Sequence, residues 1–91
     1  MLRISEIELN EDAATLRLEG RVLKTLVDEV KAACEQHLAR GCRLTLDLTD
    51  LSFADREGVA LLKELVQRGV ALANCSPFLN EELKQNGVAA E

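Results

Sequence analysis

The chain reads as an α/β domain, a mixed sheet of four to five strands covered by about three helices. Three observations predict it. Apolar and polar residues alternate around Leu16 and Leu18 and again at Leu44, Leu46 and Leu48, as on strands with one buried face. Between and after these runs the apolar spacing changes to three and four residues, the mark of helices with one apolar stripe. The resulting order β-β-α-β-α-β-α contains two strand–helix–strand units, residues 18–48 and 44–74, whose strands are predicted to be parallel.

Residues 2–9 open the sheet. Leu2 and Ile4 fall on one parity and Ile7 and Leu9 on the other, so a bulge or a short break is expected near Ser5 and Glu6. Asn10, Glu11 and Asp12 make a turn, and residues 14–19 return as the second strand of a hairpin. From Leu23 to Leu38 one helix face carries Leu26, Val27, Val30, Cys34 and His37, and Gly41 ends that helix. The strand at 44–48 breaks at a polar turn and reaches Asp55, a good cap for a helix over 56–67. That helix buries Val59, Leu62, Leu65 and Val66, and Gly69 stops it. Residues 70–74 are nearly all apolar, the composition of a short strand buried on both faces. Ser76 caps a last helix that starts at Pro77 and runs to Lys84. Asn86 and Gly87 end it, leaving a loose tail to Glu91.

Composition narrows the function. Ninety-one residues make one domain, 1–91. Phe53 and Phe78 are the only aromatic residues, too few for a base-stacking platform, and the net charge of −5 argues against nucleic acid or an anionic membrane as partner. No apolar run approaches a membrane span, and the N-terminus lacks a signal peptide's apolar core, so a cytoplasmic location is expected. Cys34, Cys42 and Cys75 form no CxxC pair and no even set, which suits a reducing compartment.

The segment most able to carry function is 43–58. A strand that feeds a tight turn into a helix start presents unpaired backbone N–H groups at one surface point. In parallel sheets ligand and partner sites collect at such carboxyl ends. Gly58, in the first helical turn, is expected to let the helix approach another backbone closely.

The run Leu46-Asp47-Leu48, then Leu51-Ser52-Phe53-Ala54-Asp55, then Gly58 and Leu61-Leu62, resembles the core motif of the STAS domain. Bacterial anti-sigma factor antagonists and the tails of sulphate transporters share this domain. Glu19-Gly20, Gly69-Val70-Ala71-Leu72 and Ser76-Pro77 match in order as well, so the resemblance covers roughly three quarters of the chain. It implies a non-enzymatic, protein-binding role, with Ser52, Phe53, Asp55, Arg56, Glu57 and Gly58 as the partner-binding surface. In the resembled antagonists the residue after the motif Asp is a serine or threonine that a kinase-like anti-sigma factor phosphorylates, adding about −1.5 to −2 charges where the partner docks. Here that residue is Arg56, and Glu57 replaces the next small residue, so the usual switch is absent.

The implied partner is an anti-sigma factor or kinase-like regulator, or a transporter subunit that this chain would serve as an accessory domain. A homodimer is a further option. The plain reading of Arg56 and Glu57 is that both are solvated first-turn residues, with Glu57 complementing the helix dipole. Ser52 is a displaced phosphosite or, more simply, a hydroxyl bonded to turn backbone. A nucleotide or other small ligand with its phosphate on the helix start and Arg56 is the ligand-sensing alternative. Cys34, His37 and Cys42 lack a fourth ligand and predict no metal, and no cofactor motif or catalytic group is present. Cys75, beside a helix start, is either a thiol of lowered pKa or a structural residue.

Overall fold

The computed structural model describes residues 2–85. Five strands form one sheet, β1 (Leu2–Leu9), β2 (Ala13–Val22), β3 (Arg43–Asp47), β4 (Leu51–Ala54) and β5 (Ala71–Ala73), with helices α1 (Val27–Leu38), α2 (Arg56–Gln67) and α3 (Pro77–Gln85). The strand order is β1-β2-β3-β5, and β4 also pairs with β2. The β1–β2 hairpin is antiparallel, while β2–β3, β2–β4 and β3–β5 are parallel, which makes the predicted mixed sheet.

Alternation dictates which face is buried. Ala14, Leu16, Leu18 and Val22 of β2 and Leu44 and Leu46 of β3 point into the core, where Val30 and Cys34 of α1 and Leu62 and Leu65 of α2 meet them. Leu79 and Leu83 of α3 complete this layer. Two surface ion pairs, Glu35–Arg68 at 2.5 Å and Lys31–Glu64 at 3.4 Å, join α1 to α2 above the core.

The irregularity expected in β1 near Ser5 and Glu6 is a bulge between Glu6 and Glu8. Three expectations need correction. The first helix is preceded by a 3-10 turn, Lys24–Leu26, and becomes α-helical only at Val27. The polar turn predicted after residue 48 is shorter than expected, since Leu51–Ala54 is a strand. Ten-residue β2 extends past the end of β3, and its residues Gly20, Arg21 and Val22 take β4 as their partner. Finally, β5 is an edge strand of three residues with Ala71 exposed and Leu72 and Ala73 half-buried, so it is not buried on both faces. The apolar character of 70–74 reflects Val70, which is buried before the strand begins.

The Ser76–Pro77 start is as predicted: the Ser76 hydroxyl accepts from the Leu79 N–H at 3.2 Å. The predicted stop at Asn86 and Gly87 and the tail to Glu91 lie outside the described residues. Among the described residues no helix is long and apolar enough to cross a membrane.

Candidate functional site

Strand β4 delivers the chain to Asp55 at the carboxyl edge of the sheet. The Asp55 N–H donates to the Val22 carbonyl at 3.1 Å, continuing the parallel ladder by one residue. Its carboxylate then caps α2: Oδ1 accepts from the Gly58 N–H at 2.8 Å. The other oxygen, Oδ2, accepts from the Lys24 N–H at 2.8 Å and so ties the turn before α1 to the start of α2. These backbone donors, Gly58 foremost, hold the Asp55 carboxyl below its ordinary pKa.

Gly58 explains how close the two segments sit. A Cβ built there would fall 2.4 Å from the Val22 carbonyl oxygen and 3.2 Å from the Ala54 Cβ. Only glycine leaves room for α2 to rest on the end of β2. The helix start is thus fixed by backbone contact, and the side chains around it stay available.

Those side chains divide by role. Ser52, Phe53, Arg56 and Glu57 are exposed, whereas Asp55 is half-buried and Gly58 buried. The Ser52 hydroxyl donates to the Gly20 carbonyl at 2.9 Å, across β4 to β2 and not within its own turn. Arg56 and Glu57 have no ion-pair partner among the described residues. Phe53 is 41 % exposed and Phe78 54 % exposed, so the chain's two aromatic rings are both on the surface. They line one open groove of about 580 Å³, with Arg56, Val59, Ala60 and Lys63 of α2 on its floor and side.

The match to a family model described as "Mlab, STAS domain" covers residues 5–90, nearly the whole chain. The chain belongs to the STAS domain family. Among solved structures it is similar to the anti-sigma factor antagonist SpoIIAA in its unphosphorylated form. That match has 19 % identity and a TM-score of 0.71 over 90 % of this chain and 82 % of the other. It is also similar to the Bacillus cell fate determinant SpoIIAA in the phosphorylated form, at 19 % identity and a TM-score of 0.70 over 94 % and 85 % of the two chains. A STAS-domain antisigma-factor antagonist from Rhodobacter sphaeroides follows, at 17 % identity and a TM-score of 0.66 over 98 % and 92 %. At these identities the likeness is one of fold. No curated protein sequence matches the chain.

Asp47 belongs to the motif read in the sequence, where no contacts are assigned to it. The Asp47 side chain, only 12 % exposed, accepts from the Thr49 hydroxyl at 2.6 Å, the Thr49 N–H at 3.0 Å and the Asn74 amide at 3.1 Å through one oxygen. The other oxygen faces the Arg17 guanidinium at 3.4 Å. These donors, the Thr49 hydroxyl first, hold its carboxyl well below the usual carboxylate range. Asn74 has a left-handed backbone, φ 60°, which its bond to Asp47 supports. The Asp-x-Thr spacing is an Asx-turn signal that could have revealed half of this hub. Arg17 and Asn74, 30 and 27 residues away, could not have been paired with it by spacing.

The remaining sequence candidates are dispersed. Cys34 is fully buried, and burial pushes its thiol up to about 11. Burial likewise raises the Cys75 thiol, so the lowered pKa considered for it does not arise. His37 is buried in α1 with Nε2 3.4 Å from Glu6 of β1. Cys42 makes a weak contact with the Glu11 carbonyl at 3.8 Å. Among the described residues no three His, Cys, Asp or Glu side chains are arranged to hold a metal ion.

Proposed function

We propose that this STAS domain is a non-enzymatic protein-interaction module of the anti-sigma factor antagonist type. It binds a regulatory protein through residues 52–58 and lacks the usual serine phosphorylation switch. The observation that carries the reading is the division of labour at the helix start. Asp55 and Gly58 are consumed in holding β4, β2 and α2 together, while Phe53, Arg56 and Glu57 face outward from a rigid base. A pre-set surface of this kind binds without paying the ordering entropy of a mobile loop.

Arg56 occupies the position where the resembled antagonists carry the phospho-acceptor. Its guanidinium keeps a fixed positive charge there and offers no hydroxyl. Ser52 is a poor substitute acceptor, because its hydroxyl is engaged with Gly20. The surface is therefore set for constitutive binding or for control exercised on the partner.

The test is a tagged pull-down from the native cell, wild type beside Arg56→Glu, read by mass spectrometry. Recovery of a kinase-like anti-sigma factor with wild type, and its loss with the variant, is the expected result. Transporter subunits in its place would make the chain an accessory subunit of a membrane transporter. Partners indifferent to Arg56→Glu would remove the loop from the interface, and calorimetric heat with millimolar nucleotide would favour ligand sensing.

A further inference from the structure

The outer edge of β1 carries a pattern that the fold of one chain does not use. β1 ends the strand order, so its outward row of N–H and C=O groups has no strand partner among the described residues. Its eight residues, Leu2–Leu9, hold no proline and no lysine, two of the devices that blunt such edges. Ile7 is 44 % exposed and Leu9 54 %, two of the four large apolar side chains on the surface of the described residues.

The register with β2 fixes which way each side chain points, because cross-strand partners share a face. Ile4, Glu6 and Leu9 lie opposite the buried Leu18, Leu16 and Ala14, on the face that carries the core. Arg3, Ser5 and Glu8 lie opposite Glu19, Arg17 and Thr15, on the other face. Leu2, two residues before Ile4, joins the first set, and Ile7 is the extra residue of the bulge. With Ile7 set aside, the strand is self-complementary when laid antiparallel on a copy of itself. Ser5 meets Ser5 of the second copy at a two-fold axis, Ile4 meets Glu6, Arg3 meets Glu8 and Leu2 meets Leu9. Every pair then shares a face, and the one pair of charges is of opposite sign. A slip of one residue breaks the match of faces. Moving the axis to Glu6 sets Glu6 against Glu6, and moving it to Ile4 sets Leu2 against Glu6.

The side chains this register calls on are available. Arg3 is 79 % exposed, with its ion pair to Glu19 stretched to 4.0 Å. Glu8 has no ion-pair partner among the described residues. Glu6, which meets only Ile4, keeps its carboxylate 3.4 Å from His37 Nε2 in its own chain. We infer that two copies of this chain pair antiparallel through their β1 edges, joining their sheets into one. Opposed Arg3 and Glu8 and opposed Leu2 and Leu9 set the register, each contact occurring twice by symmetry. β1 flanks β2 on the side away from β3 and β4, so the pairing leaves residues 52–58 uncovered. The dimer therefore stands apart from the function proposed above.

Sedimentation equilibrium of the full chain should show a monomer–dimer equilibrium that shifts to dimer with concentration. With Cys42 and Cys75 changed to serine, Ser5→Cys should give a disulfide-linked dimer under mild oxidation, because the two thiols face each other across the axis. Glu8→Cys in the same background should not, since its two copies stand four strand positions apart, roughly 13 Å. Arg3→Glu and Glu8→Arg should each weaken association roughly tenfold, as each change creates two like-charge contacts. The double variant Arg3→Glu/Glu8→Arg should restore it. Arg3→Glu also meets Glu19 within the chain, so this rescue is the decisive reading. A monomer at every concentration up to about 1 mM overturns the inference. So does crosslinking at Glu8→Cys and not at Ser5→Cys, or a dimer indifferent to both charge reversals. Glu8→Arg should leave the Arg56-dependent pull-down unchanged, so the two readings fail separately.

Discussion

Two carboxylates mark the carboxyl edge of this sheet, Asp47 at the end of β3 and Asp55 just past the end of β4. Both are saturated with donors and both are held below their ordinary pKa, yet they do opposite things for the surface. Asp47 draws in its neighbours: Thr49, Asn74 and Arg17 all reach its carboxylate, although the Arg17 Nε is buried without a hydrogen-bond partner. Asp55 takes backbone N–H groups, from Lys24 and Gly58, and the neighbouring Phe53, Arg56 and Glu57 side chains are exposed. Asp47 takes three of its four donors from side chains, whereas Asp55 takes both of its hydrogen bonds from backbone. The same residue type thus gathers side chains at one strand end and caps a helix at the next.

The contrast is easiest to break at the hub. Asp47→Ala removes the charged acceptor shared by the Thr49 hydroxyl, the Thr49 N–H and the Asn74 amide, and should cost on the order of 2 kcal/mol in urea unfolding, moderated because Thr49 and Asn74 are exposed and can turn to water. Gly58→Ala is expected next. Its Cβ meets a backbone carbonyl at 2.4 Å, so α2 must shift, at about 1–3 kcal/mol. That variant should also weaken partner binding, because the base under Arg56 moves.

Acid sharpens the comparison. The Asp47 carboxyl has a folded pKa below its unfolded value of about 3.9, so the unfolded state binds the proton first as pH falls. Its stabilisation is full above about pH 4 and is lost progressively below it. Asp47→Asn should therefore flatten the decline of stability between about pH 4 and pH 2 relative to wild type, measured by urea midpoints at each pH.

Arg56→Glu should do the reverse of Asp47→Ala. Stability stays within about 0.5 kcal/mol, with a slight gain from placing an anion in the first helical turn, while partner binding is lost. Ser52→Ala is the smallest expected effect, below about 1 kcal/mol, since it removes one exposed hydrogen bond to Gly20. If Ser52→Ala abolished partner binding with the fold intact, the Ser52 hydroxyl would be a direct contact of the proposed partner surface.

Much of this was legible before any coordinates. Period-2 runs located β2 and β3, and the Asp55 and Ser76 caps located the starts of α2 and α3 to the residue. Local rules sufficed there because caps and alternation are decided by neighbours in sequence. β4 escaped because it is four residues long and buries only its ends, Leu51 and Ala54, so it shows no alternation. It is a strand because the second half of β2 needs a partner, a fact located thirty residues away. β5 misled for the opposite reason: its residues are apolar enough for a centre strand, but the topology left it at the edge.

The candidate site was legible in part. Residues 52–58 could be picked out by their place between a strand and a helix, and the charge change at Arg56 is plain in the sequence. That Phe78 and Lys63 border the same groove as Phe53 was not, because α2 and α3 had first to be packed. By itself, then, the sequence determined the strand and helix inventory, the capped start of α2, the absence of a hydroxyl at position 56 and the acidic balance of the chain. These follow from short-range periodicity, side-chain chemistry and counting. Only the tertiary structure decided which strand completes β2, that Asp47 gathers Arg17 and Asn74, and that two distant phenylalanines share one opening. Each of those depends on which segments the sheet order brings side by side, and no local rule carries that information.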